Sequence, residues 1–547
     1  MPACRQCTTE FTHHELEQQL FERMSVPPSD LCLSCRRRYR LAFWPFGNFY
    51  SRTCDFSDER IITTYPPDTK FPVYKREHWY SDKWTPPEMD VDLERPFFDQ
   101  LKELQSKTPH YHALGDAKSV GCDYADDVWE SRNCYISRSM LLCEDMHYSY
   151  RNIRVKSSLD ITFCYDLDQC YDCTYCFNSY NLHYSVDSRN CTDSYFLYDC
   201  RDCDNCFMSW NLRHKSYCIL NKQYSPEEYK QKLAEMSIGS WSASQKLKEE
   251  FATHLKKDVV HKPDFNTQTE GCVGNFLDKC KNCIEANQSA ESEDCYDVTR
   301  GHQDKDCTNI SGLLNGELSC QIMQATNLYN VQYALYCVDC SNAQYLDQCQ
   351  SCENCFGCVG LFKRKHCILN KQYEPDAYET LKSAIIDKMK KRGEYGHFFP
   401  LAMAYNGFNA SLAAMHFPNE TRESVEALGG RWEESSKSAV AGMSADQLPD
   451  HIDSVNDEWV GKIVECSQTK KSFNFIKQEI EFYKKHNIPL PHLYPDERNR
   501  ARYRYMCATD PRTAFCYRCQ AHITTYYPKE WGYEKIMCHE CYRAEVL

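Results

Sequence analysis

The sequence contains no run of apolar residues long enough to span a membrane. It also lacks the basic stretch and apolar core of a secretory signal at its start. These absences predict a soluble, cytoplasmic protein. The signatures of several enzyme classes are missing as well: the GxSxG elbow, the P-loop, the dinucleotide fingerprint and the HExxH zinc helix. The sequence therefore gives no direct sign of catalysis.

Cysteine, in contrast, is abundant, with 36 cysteines in 547 residues. A chain of this length is expected to form three or four domains. In a reducing compartment, clustered CxxC pairs are typical of metal ligands or of small buried hydrophobic residues. The net charge is −14. Residues 460–547 carry 15 Lys and Arg against 10 Asp and Glu, a local +5, and residues 264–360 carry 4 against 14, a local −10. Nucleic-acid phosphates would therefore be attracted only to the termini.

Two CxxC pairs, separated by twenty-four residues, lie near the N-terminus. Four thiolates at such spacing can close a tetrahedral zinc site that holds two hairpins without a core of their own. The alternative is two unrelated pairs of buried thiols. The predicted ligands are Cys4, Cys7, Cys32 and Cys35.

The two ends of the chain repeat one pattern. Residues 11–43 align with 473–505, and residues 53–65 align with 515–526. We interpret each end as a tandem of two zinc ribbons, of which only one keeps its ligands. The second C-terminal ribbon has Cys516, Cys519, Cys538 and Cys541. The degenerate ribbons keep Cys54 and Cys466 but have Ser57, Lys75, His78, Tyr494 and Glu497 where the ligands are expected. We expect two structural zinc ions, because a four-thiolate site leaves no position for water or substrate.

An arginine-rich stretch follows the second ligand pair, or its remnant, in both tandems. Arginine alternating with tyrosine can contact phosphates and stack on bases, whereas a solvated face paired with nearby acids is the alternative. The aromatic hairpin of the degenerate N-terminal ribbon is a second candidate binding face. The candidate binding residues are Arg36, Arg37, Arg38, Arg40, Arg498, Arg500, Arg502, Arg504, Trp79 and Trp84.

The middle of the chain is a cysteine-rich repeat. Residues 200–229 recur at 349–378, and both copies contain CxxCxxC followed by CILNKQY. Each copy leads into a helix; the first has a capping box at Ser225 and the second ends at Gly393. Several cysteines recur at fifteen residues and others at twelve or thirteen, with little proline and no helical periodicity. This texture predicts a parallel β-solenoid with inward cysteines and with Asn or Asp at its corners. A metal site or cluster built from Cys170, Cys173 and Cys176 is the sharper alternative.

The predicted fold is mainly β with short helices, and zinc-ribbon modules at both termini flank a solenoid-like repeat region that helices interrupt. The predicted domains are a tandem ribbon module at 1–95, solenoid segment 1 at 110–224, a helical insertion at 225–262, solenoid segment 2 at 263–373, a helix and linker region at 374–460 and a second tandem ribbon module at 461–547.

The order of these motifs along the chain is similar to that in a known protein family. From the first CxxC through "FPVYKREHWYSDKW", "CILNKQYSPEEY" and "FIKQEIEFYKKHNIPLP", the chain resembles a family of uncharacterised cysteine-rich bacterial proteins with zinc-ribbon units flanking NKQY-containing repeats. The resemblance covers nearly the whole chain and implies two cysteine knuckles per ribbon module. It implies no activity.

Three functions are compatible with the sequence. The first is a zinc-stabilised, non-catalytic scaffold that recognises another macromolecule through its solenoid surface and ribbon heads. The second is a nucleic-acid-associated protein that uses the arginine–tyrosine stretches at the termini. The third is a β-helix enzyme with surface Asp pairs, such as Asp166 with Asp168 or Asp202 with Asp204. The sequence favours the scaffold and leaves its partner unnamed.

Overall fold

The computed structural model describes residues 2–293, 295–297, 316–317, 322–323, 328–434 and 441–547. The predicted solenoid segment 2 and linker region therefore lie partly outside the described residues. The chain forms two compact units, each made of two separate stretches of sequence. Unit 1 contains Met1–Ala113 and Phe265–Glu433, and unit 2 contains Leu114–Asp264 and Glu434–Leu547. Each unit thus combines one terminal stretch with the cysteine-rich segment that is remote from it in sequence.

The N-terminal stretch contains short helices and two-stranded pairings. Strands β1 and β2 pair antiparallel, and β3 and β4 pair in parallel. The elements are α1 (Glu15–Arg23), α2 (Leu33–Leu41), β1 (Tyr50–Thr53), β2 (Arg60–Thr63), β3 (Val73–Tyr74), α3 (Arg76–Trp79), α4 (Phe97–Lys107) and β4 (His110–Tyr111).

The first cysteine-rich segment, which we call parallel-strand region 1, is followed by two helices. Its strands are β5 (Ala125–Trp129), β6 (Arg132–Tyr135), β7 (Ser137–Leu141), β8 (Glu144–His147), β9 (Tyr150–Ile153), β10 (Lys156–Asp168), β11 (Tyr171–Thr174), β12 (Phe177–His183), β13 (Thr192–Tyr198), β14 (Phe207–Trp210), β15 (Cys218–Ile219) and β16 (Lys222–Gln223). The helices are α5 (Pro226–Glu235) and α6 (Trp241–Lys257).

The second cysteine-rich segment, parallel-strand region 2, has the same organisation. Its strands are β17 (Val273–Asn275), β18 (Ile284–Asn287), β19 (Gly316–Glu317), β20 (Leu328–Leu335), β21 (Ser341–Asp347), β22 (Glu353–Val359), β23 (Lys365–Ile368) and β24 (Lys371–Gln372). The helices that follow are α7 (Pro375–Arg392), α8 (Ala413–His416) and α9 (Arg422–Ala427).

The C-terminal stretch repeats the element types of the N-terminal one. Its elements are β25 (Met443–Ser444), β26 (Ile463–Glu465), β27 (Ser472–Asn474), α10 (Lys477–Lys485), α11 (Pro495–Tyr503), β28 (Arg512–Phe515), β29 (His522–Thr525) and α12 (His539–Val546). Among the described residues, every helix is too short or too polar to cross a membrane.

Neighbouring strands in region 1 pair in parallel at a constant offset. Leu159 pairs with Tyr171, and Tyr195 pairs with Phe207, so partners are twelve residues apart. Region 2 keeps this offset, for example between Ser341 and Glu353, and departs from it at a bulge next to Gly274. The fifteen-residue recurrence of cysteines in the sequence is therefore not the distance between strand partners.

The backbone also repeats every three residues. From Asp127 to Leu220, every third residue has a positive φ, and Asp and Asn are the commonest residues at these positions. Left-handed backbone costs most L-residues roughly 1–2 kcal/mol, and short Asn and Asp side chains tolerate it best. The residue after each left-handed position is typically buried, as Cys134 is after Asn133. Because one residue in every three points inward, cysteines can recur with the CxxCxxC spacing. Cysteines fifteen residues apart are separated by one strand-partner offset of twelve residues plus one such repeat of three.

The interior of both regions consists largely of small side chains that form hydrogen bonds. Cys164 donates its S–H to the carbonyl two residues earlier (3.4 Å) and accepts the N–H of the residue twelve positions later (3.4 Å). Ser158 makes the same two bonds through its hydroxyl, at 2.7 Å and 2.9 Å. Thiol and hydroxyl groups thus satisfy the backbone polar groups of a narrow core, as burial requires.

The repeated CILNKQY motif ends each parallel ladder. In both copies Leu-Asn adopts two successive left-handed conformations, and the chain reverses into a short antiparallel strand, β16 or β24. The Asn221 amide bonds both the N–H and the carbonyl of Trp210, each at 2.9 Å, and the Asn370 amide bonds those of Val359 at the same distances. Each asparagine side chain therefore makes the two backbone hydrogen bonds that a further strand of the ladder would otherwise make.

The two helices that follow this motif begin and end where the sequence predicts. The capping box at Ser225 is present at the start of α5, where the Ser225 side chain accepts the Glu228 N–H and Glu228 accepts the Ser225 N–H. Helix α7 ends at Gly393, which is left-handed with φ 68°. These signals are local in sequence, so the surrounding packing did not override them.

Candidate metal centres

Four short turns with one shared geometry lie in the terminal stretches. In the first turn, the Cys4 N–H donates to the Thr9 carbonyl and the Cys4 carbonyl accepts the Thr8 N–H, both at 2.9 Å. The turns that start at Cys54, Cys466 and Cys516 form the same pair of bonds. The residue that closes each turn is left-handed, with φ between 57° and 60°; these residues are Thr8, Asp58, Lys470 and Gln520. All four turns are therefore knuckles of one kind, whether or not their cysteines remain.

Each knuckle faces the start of a helix. The first residue of the second ligand pair is the N-cap of that helix: Cys32 for α2, Lys75 for α3, Tyr494 for α11 and Cys538 for α12. The N–H of Cys32 donates to the Cys4 sulfur at 3.4 Å, and the N–H of Cys538 donates to the Cys516 sulfur at 3.2 Å. The N–H of Lys75 makes the same bond to Cys54 at 3.2 Å. The start of the helix thus brings the second pair of ligand positions next to the first pair, which lies in the knuckle.

The eight predicted metal ligands meet in two groups of four. In each group the sulfur atoms all lie within 4.8 Å of one another. The sulfurs of Cys7 and Cys32 are 3.7 Å apart, and those of Cys519 and Cys538 are 3.8 Å apart. Four sulfurs bound tetrahedrally at about 2.3 Å from a zinc ion lie about 3.8 Å apart. Both groups could therefore hold a metal ion of this size. The remaining members are Cys4 and Cys35 in the first group and Cys516 and Cys541 in the second.

The electrostatic environment differs between a thiol of the C-terminal group and one of the N-terminal group. Burial raises the pKa of the Cys516 thiol, but hydrogen bonds from the backbone N–H groups of Cys519, Cys538 and Arg518 lower it to about 6. At Cys35, burial and the neighbouring Cys32 charge raise the pKa, although the Arg38 guanidinium lies 3.2 Å from the sulfur. A thiol whose charged form is stabilised by donors is prepared to bind a cation as thiolate.

The degenerate N-terminal knuckle is held by side chains instead of four thiols. Lys75 Nζ lies 3.0 Å from a carboxylate oxygen of Glu59, and His78 Nε2 lies 3.9 Å from the same oxygen. The His78 ring packs against Phe56 with 5.1 Å between ring centroids. Cys54 is fully buried. An ion pair and a ring contact therefore connect the knuckle to its helix.

The degenerate C-terminal knuckle uses an aromatic ring. Tyr494 occupies the position of a ligand, and the ammonium group of Lys471 lies over its ring at 5.3 Å. Phe473 contacts the same ring edge-on at 6.4 Å between centroids. Cys466 is fully buried. In both degenerate copies, side-chain packing thus occupies the place where the sequence has lost metal ligands.

Most of the arginines predicted to form exposed strips are buried. In unit 1, Arg36 pairs with Glu17, and Arg40 lies 3.7 Å from Asp297, which Arg37 also approaches at 4.0 Å. The expectation of a solvent-exposed strip is therefore not met at these three positions. The physical reason is that each helix directs its guanidinium groups towards acids of its own unit.

Unit 2 contains the equivalent arrangement. Arg498 pairs with Asp160, Arg502 lies 2.9 Å from the other oxygen of Asp160, and Glu479 lies 4.0 Å from Arg498. Glu479 aligns with Glu17 of unit 1. We call each such set a buried clamp: Glu17, Arg36, Arg40 and Asp297 in unit 1, and Glu479, Arg498, Arg502 and Asp160 in unit 2. Sequence reasoning missed both clamps, although the aligned glutamates were their visible signal.

The other candidate binding residues are more accessible. Arg38 pairs with Glu420, Arg500 is half-buried, and Arg504 is exposed with its guanidinium over the Tyr505 ring. The half-buried indole of Trp84 donates to the Trp79 carbonyl at 2.7 Å. These contacts leave partner binding at the accessible residues as a prediction.

Trp79 itself is buried, and its indole donates to the Pro109 carbonyl at 2.9 Å. The expectation that this ring forms part of an exposed binding face is therefore not met. Its packing among Tyr80, Trp84 and Tyr111 stabilises the degenerate hairpin instead.

The cysteines of the middle segments do not add a metal centre within the described ranges. Cys170, Cys173 and Cys176 are fully buried. Outside the two terminal groups, no set of three or more metal-binding side chains among the described residues comes close enough together. The described cysteines are all free thiols.

The surface Asp pairs are engaged in contacts along the ladder. Asp166 accepts two bonds from Arg154, at 2.6 Å and 2.7 Å, and Asp202 accepts the Asn190 amide at 3.0 Å. Each donor lies twelve residues earlier in the chain, which is the offset between strand partners. The same contact at Asp204 comes from the Thr192 hydroxyl. These carboxylates therefore connect successive twelve-residue steps of the ladder.

When the chain is compared with protein-family models and with curated proteins, none of them matches it. The evidence on function is thus the geometry described above.

Proposed function

We propose that this protein is a zinc-stabilised, non-catalytic scaffold that binds another macromolecule. The observation that carries the zinc assignment is the spacing of the two four-cysteine groups, which fits the tetrahedral Zn–S geometry. Four thiolates fill the coordination sphere, so the ions would stabilise ribbon folds and leave no position for a substrate. The terminal stretches are then tandem zinc ribbons, each with one loaded and one degenerate copy.

In this proposal the two parallel-strand regions are β-solenoids with coils of twelve residues. Support comes from the constant offset between strand partners and from the three-residue repeat of left-handed backbone. A coil with four sides of three residues each would explain both the twelve-residue offset between strand partners and the three-residue repeat of the backbone. Solenoids present extended surfaces of regular side-chain columns, and such surfaces are typical of macromolecular recognition.

The side of region 1 that carries Arg132, Glu144, Arg154 and Asp166 is a candidate recognition surface. These side chains are exposed or half-buried, and they form ion pairs along the ladder. A surface on which positive and negative side chains alternate is suited to a protein partner, because a protein can place a side chain of the opposite charge against each of them.

Nucleic-acid binding is the second candidate. Its support is the local positive charge of residues 460–547 together with the exposed guanidinium of Arg504. The buried clamps weaken it, since they remove Arg36, Arg40, Arg498 and Arg502 from contact with phosphates. A β-helix enzyme is less supported, because the Asp166 and Asp202 carboxylates are held by partners twelve residues earlier in the chain.

Capture from a native extract, followed by reconstitution, tests the scaffold. The zinc-loaded full chain would be immobilised, the bound macromolecule identified and purified, and the affinity measured with and without nuclease. Saturable, nuclease-resistant binding that weakens at least tenfold in Arg154→Glu would support the proposal. Lys391→Glu, a charge reversal on the exposed side of α7 in the other unit, is the control. Binding that nuclease abolishes would favour the second candidate, and the absence of any saturable partner would contradict both.

A further inference from the structure

A groove of about 530 Å3 opens in unit 2 beside helix α10. One wall is formed by parallel-strand region 1, with Asn133, Tyr135, Asp145 and His147, and the other by Phe482 of the helix. Asn133 and Asp145 are left-handed residues twelve positions apart, so they occupy the same column of neighbouring strands. The groove therefore follows the ladder for at least two strands.

The imidazole of His147 lines this groove and is 8% exposed. Its Nδ1 has no hydrogen-bond partner and is itself buried from solvent, so a ligand in the groove does not reach that nitrogen. Burial lowers the pKa of His147 to about 4, although the Asp145 carboxylate acts to raise it. The ring is thus neutral at pH 7 and adds no positive charge to the groove.

The charge of the groove favours a cation. The exposed carboxylate of Asp145 lies at its rim, held by the Asn133 amide at 2.8 Å. The rings of Tyr135 and Phe482 line the groove, and Tyr135 meets His147 edge-on at 6.0 Å between centroids. None of the described residues that line it is Lys or Arg. A carboxylate beside aromatic rings, without a competing cation, is the usual surrounding of a bound ammonium or guanidinium group.

Unit 1 has a groove of about the same volume at the corresponding place, beside α1. Tyr296 lies there at the position of His147, and the His14 ring stacks on it with 5.5 Å between centroids. Arg23 also lines this groove. The groove is therefore a feature of both units, but a cationic side chain is already present in the first one.

We propose that the groove beside α10 binds a basic side chain of a protein partner, with Asp145 pairing with the charge and Tyr135 and Phe482 contacting its alkyl stem. This inference rests on the proposed scaffold function and specifies the chemistry of the partner. The net charge of −14 adds long-range attraction for a basic partner.

Titration with small probes tests the groove directly. The full chain, loaded with zinc and labelled with 15N at histidine, would be titrated with Nα-acetyl-lysine amide, Nα-acetyl-arginine amide and the neutral Nα-acetyl-norleucine amide. We expect a saturable shift of the His147 ring nitrogen resonances, because the ring lines the groove, and at least tenfold tighter binding of a cationic probe than of the neutral one. Equal binding of charged and neutral probes, or no shift at His147, would overturn the inference.

Two matched variants assign the charge preference. Asp145→Asn is expected to remove the tenfold preference for the cation. Asp202→Asn is the control, because Asp202 is also left-handed and also accepts an asparagine amide from twelve residues earlier in the chain, but it does not line the groove. If both variants weaken binding equally, the groove is not the site.

The same variants separate this inference from the scaffold proposal. A captured partner that binds wild type and Asp145→Asn equally well would remove the groove from recognition and leave the scaffold intact. A failure to find any partner would contradict the scaffold, whatever the probes show.

Discussion

At the scale of single residues, two asparagines with the same hydrogen bonds differ in their exposure to water. Asn221 is exposed, whereas Asn370 is 3% exposed and also donates to the Pro87 carbonyl at 3.0 Å. Both are left-handed. A buried amide cannot be replaced by water as easily as an exposed one, so the ladder end of region 2 depends more strongly on its asparagine.

Substitution by glycine isolates this effect, since glycine keeps the left-handed backbone without strain. We predict that Asn370→Gly lowers the free energy of unfolding of unit 1 by about 2 kcal/mol, because the N–H and carbonyl of Val359 lose their partners in a buried place. Asn221→Gly is expected to cost less than about 1 kcal/mol in unit 2. Hydrogen exchange of the last strands of each region measures both values. Equal costs would show that burial is not the cause.

His261 gives unit 2 a dependence on pH. Its Nδ1 lies 2.9 Å from the Tyr198 hydroxyl, its Nε2 lies 2.7 Å from the Leu255 carbonyl, and its ring stacks on Tyr533 at 3.9 Å. Burial lowers its pKa to about 4, although the Leu255 carbonyl and the Asp199 charge act to raise it. Between pH 6.5 and about 4, the unfolded chain therefore binds a proton that the folded unit does not. This contribution to stability is complete at pH 7 and is lost as the pH falls.

We predict that lowering the pH from 7 to 5 costs wild-type unit 2 about 2 kcal/mol more than it costs His261→Gln, since each pKa unit corresponds to about 1.4 kcal/mol. Denaturant unfolding of both proteins at the two pH values gives the difference. An identical pH dependence in the variant would show that His261 is not responsible.

At the scale of elements, the narrow interior of the parallel-strand regions decides which thiols react. Cys176, Cys191, Cys206, Cys340 and Cys355 are each at most 1% exposed. We predict that a thiol reagent leaves these five unmodified in the native protein and modifies them after denaturation. Among the described cysteines of the two parallel-strand regions, Cys122 and Cys272 are half-buried, so they should react first and serve as the internal comparison. Mass spectrometry of labelled peptides reads the outcome, and rapid native labelling of the five would contradict an inward position.

The buried clamp of unit 2 makes a second prediction at this scale. Arg498→Met leaves the Asp160 and Glu479 carboxylates buried near each other without that guanidinium, and removing one partner of a buried pair costs about 3–5 kcal/mol. Arg500→Met, two positions along the same helix and half-buried, should cost less than about 1 kcal/mol. Chemical denaturation compares the two variants. Similar costs would show that the clamp does not hold α11 to region 1.

Local signals in the sequence predicted these elements better than periodicity did. The Ser225 cap and the Gly393 stop depend on a few neighbouring residues, and the structure agrees with them. The twelve-residue offset between strand partners was hard to recognise in the sequence. Because one residue in every three points inward, cysteines also recur at three and at fifteen residues, and these spacings hide the offset of twelve. The clamps were missed for a different reason. The aligned glutamates are visible in the sequence, but Asp160 is distant in sequence from Arg498, so only the fold brings those two together.

At the scale of the whole molecule, the order of the chain does not match the composition of its units. The sequence predicts modules in succession, but each compact unit joins a terminal stretch to the cysteine-rich segment that is not adjacent to it. Repeats of similar sequence, such as residues 200–229 and 349–378, make the adjacent and the remote pairing equally compatible with local patterns. Only specific contacts, such as those of Arg40 with Asp297 and of Arg502 with Asp160, distinguish them.

The central claim is that two four-cysteine groups hold structural zinc while the degenerate copies hold none. Native mass spectrometry of the full chain, purified under reducing conditions, counts the bound metal in wild type, Cys516→Ser and Cys54→Ser. We predict two zinc ions in wild type, one in Cys516→Ser with loss of protease resistance in its ribbon, and two in Cys54→Ser, because Cys54 lacks three partner thiols. Iron in place of zinc, two ions retained in Cys516→Ser, or an ion lost in Cys54→Ser would contradict the account.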